Sequence, residues 1–415
     1  VGSENDNHEK SSASSPLVAT TNFLNEFPNY PISHSIEEWE KSVLGTLGTV
    51  RIDYNLTKPH RLFRYPDFPL LEKSQSDHIE SFLKEILWRA DPERVRLFPT
   101  FEVAIETFFE GIKKTSPQKM IHVASIAPHL PEFLRISSQE NSVFKIFNIP
   151  KDPEQWVPFF ENQIDILLLS HPNFGDGFAW PQSFFSKFLM EAEKRFSNLI
   201  ILVDPRNTLF SLDSVPAGRI EPVLQAKQLE KIPVFIVDSI FPIRSPTGPG
   251  TSWILPLNQS AKDRSELLPD SMSVQNNELI QCARSLMAFL SRQGPAMAEF
   301  SRRILVLQRS LRAFADQLMP FSRAVNPKIR VPYWPTQGFM LKMDLGFAHS
   351  PENSHVKSLD TLGRTLEMAR NFSILAIPGE IFACPGSLFI NYALPLNHAE
   401  KASVRLSQAL TVMLQ

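Results

Sequence analysis

Five short apolar runs, at residues 120–124, 143–147, 164–169, 199–203 and 234–237, constrain this chain more than any other feature. They are continuous rather than alternating: 164–169 reads IDILLL, 199–203 reads LIILV and 234–237 reads VFIV. A strand that is apolar on both faces has to be covered on both, which is the habit of parallel sheets in α/β proteins. The intervening segments carry helical spacing. Phe184, Phe185, Phe188, Leu189 and Ala192 share one face of a helix predicted at 181–195. Val103, Ile105, Phe108, Phe109 and Ile112 do the same upstream. The fold class is therefore α/β, a mostly parallel sheet with helices on both sides.

Beyond these runs the texture changes. Residues 1–20 are polar and Ser/Asn/Glu-rich and read as a disordered tail. Residues 21–75 carry scattered aromatics and prolines and read as an N-terminal arm. Residues 76–275 form the large α/β domain, and 276–415 a long helix with a small α+β C-terminal domain. In that last part Phe300, Ile304, Leu307, Leu311, Phe314 and Leu318 recur every three or four residues, the core stripe of a long helix interrupted near Pro295. Strands follow at 339–343, 374–377 and 388–392, with helices near 357–370 and 398–413.

Composition removes several function classes. The formal charge of −2 gives no reason to expect nucleic acid or an anionic membrane as partner. No run of 18 apolar residues occurs. The N-terminus lacks a secretory pattern, so a cytoplasmic location is the default expectation. Two cysteines, Cys282 and Cys384, cannot build a zinc cage or a disulfide framework. Glycine is scarce, 15 of 415 residues, and neither G-x-G-x-x-G nor G-x-x-x-x-G-K-[ST] is present, which excludes the Rossmann and P-loop readings.

In an open α/β sheet ligands bind beyond the carboxyl ends of the strands. The run 164–169 leads into Ser170-His171-Pro172-Asn173-Phe174-Gly175-Asp176-Gly177. The run 199–203 leads into Asp204-Pro205-Arg206-Asn207, and 234–237 into a segment containing Ser239, Pro242, Arg244, Gly248 and Gly250. The C-terminal domain offers Pro378-Gly379-Glu380-Ile381-Phe382.

The order of these segments resembles the fold-type I pyridoxal-phosphate enzymes, in particular class I/II aminotransferases of the histidinol-phosphate aminotransferase and threonine-phosphate decarboxylase type. Arg64-Tyr65-Pro66-Asp67 is similar to RYPD, and Glu102 to Ile105 to the entry into the phosphate-cup helix. Pro128 to Phe133 resembles PTYPEY, His171 to Gly177 resembles NPNNPTG, and Asp204 to Asn207 resembles DEAY. Val234 to Ser239 is similar to the strand before SxSK, and Pro378 to Phe382 to PGxxF. The resemblance implies a PLP-dependent transferase-like fold running from about residue 64 to the C-terminus.

Departures fall where that family keeps its chemistry. Pro242 stands at the Schiff-base lysine, or Arg244 if the register shifts by two, and neither offers the primary amine that an imine needs. No lysine lies between Lys231 and Lys262, which argues against a misplaced one. Thr100 replaces the glycine opening the phosphate cup, Leu130 the stacking aromatic, and Phe174 the asparagine that meets the ring hydroxyl. Asn207 replaces the tyrosine of DEAY, Gly250 the phosphate arginine, and Asn391 the arginine that clamps the substrate carboxylate. A neutral amide cannot match a bidentate guanidinium there.

What the resemblance preserves is Asp204, which would face the cofactor's ring nitrogen, with Ser239, Tyr65, Pro172 and Asn173. The ligand-binding set is accordingly Asp204, Ser239, Tyr65, Asn173, Arg244, Asn207 and Asn391, with no metal ligands. Bland readings stand beside these: Asp204 as a turn cap, His171 as loop surface, Ser239 as a turn residue, Arg244 as a solvated charge. Two functions from different classes follow. One is a pseudoenzyme without cofactor, acting by binding a ligand or partner. The other is a divergent enzyme that holds pyridoxal or pyridoxamine phosphate non-covalently on Asp204, with His171 as proton shuttle, or takes another small anion. The resemblance also implies a homodimer, or a heterodimer with a catalytically competent relative.

Overall fold

The computed structural model describes residues 35–60, 96–98, 100–116, 119–139, 142–206, 229–239, 252–264, 267–268, 295–322, 329–335, 338–345 and 361–413. Tyr65, Asn207, Pro242, Arg244 and Gly250 lie outside them, as does the part of the long helix expected before Pro295.

The chain opens with helix α1 (Ile36–Leu47), capped by Ser35, and strand β1 (Tyr54–Asn55). Then come β2 (Arg96–Phe98), α2 (Phe101–Thr115), β3 (Ile121–Ser125), α3 (Pro131–Ser137) and β4 (Phe144–Asn148). The short α4 (Trp156–Phe159) precedes β5 (Ile166–Ser170), α5 (Gln182–Arg195), β6 (Ile200–Asp204) and β7 (Val234–Ser239). Strand β8 (Ser252–Pro256) and α6 (Gln259–Lys262) complete this part. The remainder holds α7 (Pro295–Ser322), β9 (Ile329–Arg330), β10 (Met340–Leu345), α8 (Thr361–Phe372), β11 (Ile374–Leu375), β12 (Ile377–Pro378), β13 (Ser387–Asn391) and α9 (Leu396–Met413).

Seven strands make the large sheet, in the order β2-β8-β7-β6-β5-β3-β4. From β7 to β4 every pairing is parallel, while β8 runs antiparallel to both β7 and β2. The five expected runs are the five parallel strands. The antiparallel pair is an addition: β2 has three residues and β8 ends in proline, so neither prints a long apolar run. A smaller antiparallel sheet, β12-β13-β10-β9, follows.

Alternation along the buried strands fixes what faces what. Ile166, Leu168, Ile200 and Leu202 point into the core under α2 and α3, which they share with Ile105, Phe108, Phe109 and Phe133. Leu167, Leu169, Ile201 and Val203 point the other way, onto α5, against Phe185, Phe188 and Leu189. Burying one such side chain is worth about 1.5–3 kcal/mol, so the register of the sheet is strongly held. The same alternation carries Ser170 and Asp204, cross-strand partners at the carboxyl edge, onto the α2/α3 face.

The C-terminal part has its own core, lined by α7, α8, α9 and the small sheet. The N-terminal arm is stitched to it: β1 pairs with β11, and the Asn391 amide donates to the Leu56 carbonyl at 2.7 Å. Glu40 pins the arm by accepting from Asn55, Thr57 and Lys58. Phe174 packs against both the large-sheet core and the C-terminal core. Among the described residues, no helix is long and apolar enough to cross a membrane.

Candidate functional site

Asp204 lies at the carboxyl edge of the large sheet. This carboxylate, 1% exposed, ends β6 and is fully engaged from within the chain. Ser170 Oγ donates to Oδ2 at 3.1 Å, and the Arg206 amide donates to Oδ1 at 3.1 Å. The Arg206 guanidinium then closes a fork, with Nε on Oδ1 at 2.9 Å and Nη2 on Oδ2 at 3.0 Å. Such two-point pairing is the strongest arrangement open to a guanidinium and a carboxylate.

Arg206 is itself buried, at 6% exposure. Its Cζ lies 3.3 Å from the centroid of the Phe101 ring and 4.9 Å from that of Phe174. A cation against aromatic faces gains from their quadrupoles, more so when water is excluded. Burial alone would favour loss of the proton. The Asp204, Glu132 and Asp238 carboxylates outweigh it, so the pKa of Arg206 rises above its ordinary value. Glu132, from α3, places Oε1 4.0 Å from Nη1. Burial pushes the Glu132 carboxyl up, with Arg206 opposing, and its Oε2 has no hydrogen-bond partner.

The walls of this site come from local sequence. Phe101 is the first residue of α2, positioned by the Thr100 cap, whose hydroxyl accepts from the Val103 amide at 3.1 Å. Thr100 thus uses its hydroxyl on its own helix. Phe174 sits in the turn after β5, held by its amide donating to Ser170 Oγ at 2.9 Å. Its ring lies 6.3 Å from Phe382, which in turn lies 4.6 Å from Phe389. Gly175 lets this turn approach closely, since a Cβ there would stand 2.8 Å from Pro128.

The other expected residues lie as follows. Asn173 is fully buried; its Nδ2 donates to the Ile126 and Pro128 carbonyls and its Oδ1 accepts from the Gly175 amide. Asn391 is 1% exposed, and its Oδ1 accepts from the Ala393 amide at 2.9 Å. Ser239 closes β7 opposite Ser252, whose buried Oγ has no partner. His171 is not brought to Asp204's carboxylate. It follows Ser170 by one residue and so turns to the α5 face, stacked on Phe185 at 4.5 Å. Its Nε2 accepts from the Trp180 amide at 3.0 Å, and burial lowers its pKa to about 4.

Arg206 is the residue that motif matching misses. It stands where DEAY has alanine, so a long cation two residues after the cofactor carboxylate is the available signal. A second polar group is formed by two ion pairs. Lys151 pairs with Asp176, and Lys342 with Asp344 at 3.1 Å. Burial pushes the Cys384 thiol up to about 11 although Lys342 and Lys151 oppose it, which leaves it protonated and unreactive. Among the described residues, no group of three or more His, Cys, Asp or Glu is placed to hold a metal ion.

No protein-family model and no curated protein matches the chain. Solved structures do. An aminotransferase from Escherichia coli has a TM-score of 0.68 at 12% identity, covering 92% of this chain and 96% of that one. An aminotransferase from Mycobacterium tuberculosis has a TM-score of 0.68 at 14% identity, covering 93% and 98%. Cystalysin from Treponema denticola, whose structure contains a pyridoxal 5'-phosphate cofactor, has a TM-score of 0.64 at 16% identity, covering 90% and 96%. Identities this low speak to architecture alone. The chain has the aminotransferase fold, a mostly parallel mixed sheet joined to a smaller antiparallel C-terminal sheet.

Proposed function

We propose that this aminotransferase-fold protein carries out no pyridoxal-phosphate chemistry and works by binding a ligand or a partner protein. The reading rests on one observation: both oxygens of Asp204, the anchor that the resemblance preserves for a cofactor's ring nitrogen, are taken by the chain's own Arg206. A pyridinium would have to displace a buried, bidentate guanidinium. Breaking such a pair from one side costs about 3–5 kcal/mol.

The residues at the positions that the resemblance gives to the cofactor and substrate do not suit them either. The segment after β7 offers no lysine before Lys262, so no amine is supplied there for an imine. Lys342 is half-buried, and although burial works against its charge, its acidic neighbours, Asp344 and Asp176 among them, raise its pKa overall. Held as an ammonium, it is no nucleophile. Asn391 is committed to the Ala393 amide and presents no charge to a substrate carboxylate.

The test is a spectrum of the purified chain with added pyridoxal phosphate, then borohydride reduction and intact mass. No imine absorbance and an unmodified mass are expected; a reducible adduct on a lysine would overturn the reading. Assembly as a homodimer, or with a catalytically competent relative, is the partner arrangement the resemblance implies. Light scattering of the purified chain, alone and mixed with such a relative, measures it.

A further inference from the structure

We infer that Arg206 is the resident occupant of a site built for a planar cation, and that this occupant ties the large sheet to the C-terminal part in place of a separate molecule. The inference rests on the functional reading above. The site has an acidic floor, Asp204, matched at two points. It has aromatic walls, Phe101 at 3.3 Å and Phe174 at 4.9 Å from Cζ. A compact ammonium could satisfy the charge but not the two-point fork, because it lacks the planar pair of N–H donors.

The occupant is also a keystone. Phe101 belongs to α2, Asp204 to β6 and Phe174 to the turn after β5, so three segments converge on one guanidinium. Phe174 passes the contact on to Phe382, across the seam between the two cores. Removing the side chain leaves an uncompensated buried carboxylate beside a planar void.

Thermal unfolding of the full chain and of Arg206→Ala and Arg206→Lys tests this. Each is measured alone and with low, non-denaturing guanidinium chloride or ammonium chloride at matched ionic strength. Arg206→Ala should lose roughly 5–10 °C in Tm. Guanidinium should restore part of that loss and ammonium much less, while the natural chain should gain from neither probe. Arg206→Lys should remain well below the natural chain. Equal rescue by ammonium, no rescue by guanidinium, or an Arg206→Lys Tm matching the natural chain would overturn the inference. Should Arg206→Ala not fold, Arg206→Lys still decides whether planarity matters. These readouts involve no pyridoxal phosphate, so they fail independently of the spectrum that tests the functional reading.

Discussion

Two buried histidines give this chain a pH dependence whose sign follows from their surroundings. Burial lowers the pKa of His171 to about 4, and lowers that of His129 to about 4 with Lys151 adding to the effect. Both are depressed below the ordinary value of 6.5, so between about pH 6.5 and 4 the unfolded chain binds more protons than the folded one. Stability is then lost as pH falls through that window. Each histidine should remove about 1–2 kcal/mol between pH 7 and 5, read from urea unfolding. His171→Gln should flatten that slope; an unchanged slope would argue that its imidazole is accessible. Gly379 is a second sensitive position, because a Cβ there would stand 2.0 Å from the Cys384 carbonyl oxygen and 2.7 Å from that of Ser387. Gly379→Ala should cost about 1–3 kcal/mol, with a lowered urea midpoint as the measure.

At the scale of elements, the N-terminus of α2 is put to structural use. Its cap, Thr100, accepts from the Val103 amide, and its first residue, Phe101, stacks on Arg206. Thr100→Ala should cost about 1 kcal/mol and Thr100→Gly only a few tenths. Neither should confer affinity for pyridoxal phosphate, since Arg206 still holds Asp204; equilibrium dialysis checks this. The parallel strands are legible in the sequence because burial on both faces leaves continuous apolar runs, as in Ile166–Ser170 and Ile200–Asp204. Strands β2 and β8 are not, since a three-residue strand and one ending in proline carry too short a pattern. Of the site, Asp204 is legible from its place at a strand end. The Arg206 fork is not, because it depends on the backbone folding back over two residues, which spacing alone does not encode. His171 escapes a sequence reading for a related reason: one residue beyond Ser170, alternation sends it to the opposite face.

For the whole molecule, the seam between the two sheets is aromatic. Phe174, Phe382 and Phe389 run across it, and Phe174 touches both cores. Phe174→Ala should cost about 2–4 kcal/mol and increase hydrogen exchange in the strand ends on both sides of the seam. A loss confined to the large sheet would argue against a shared seam. Whether Arg206 keeps Asp204 from a cofactor is decided by a crystal structure of the full chain grown in excess pyridoxal phosphate. The expected result is the Arg206 guanidinium forked on Asp204 with no pyridine ring beside it. A pyridoxal ring on Asp204, with Arg206 displaced, would contradict it.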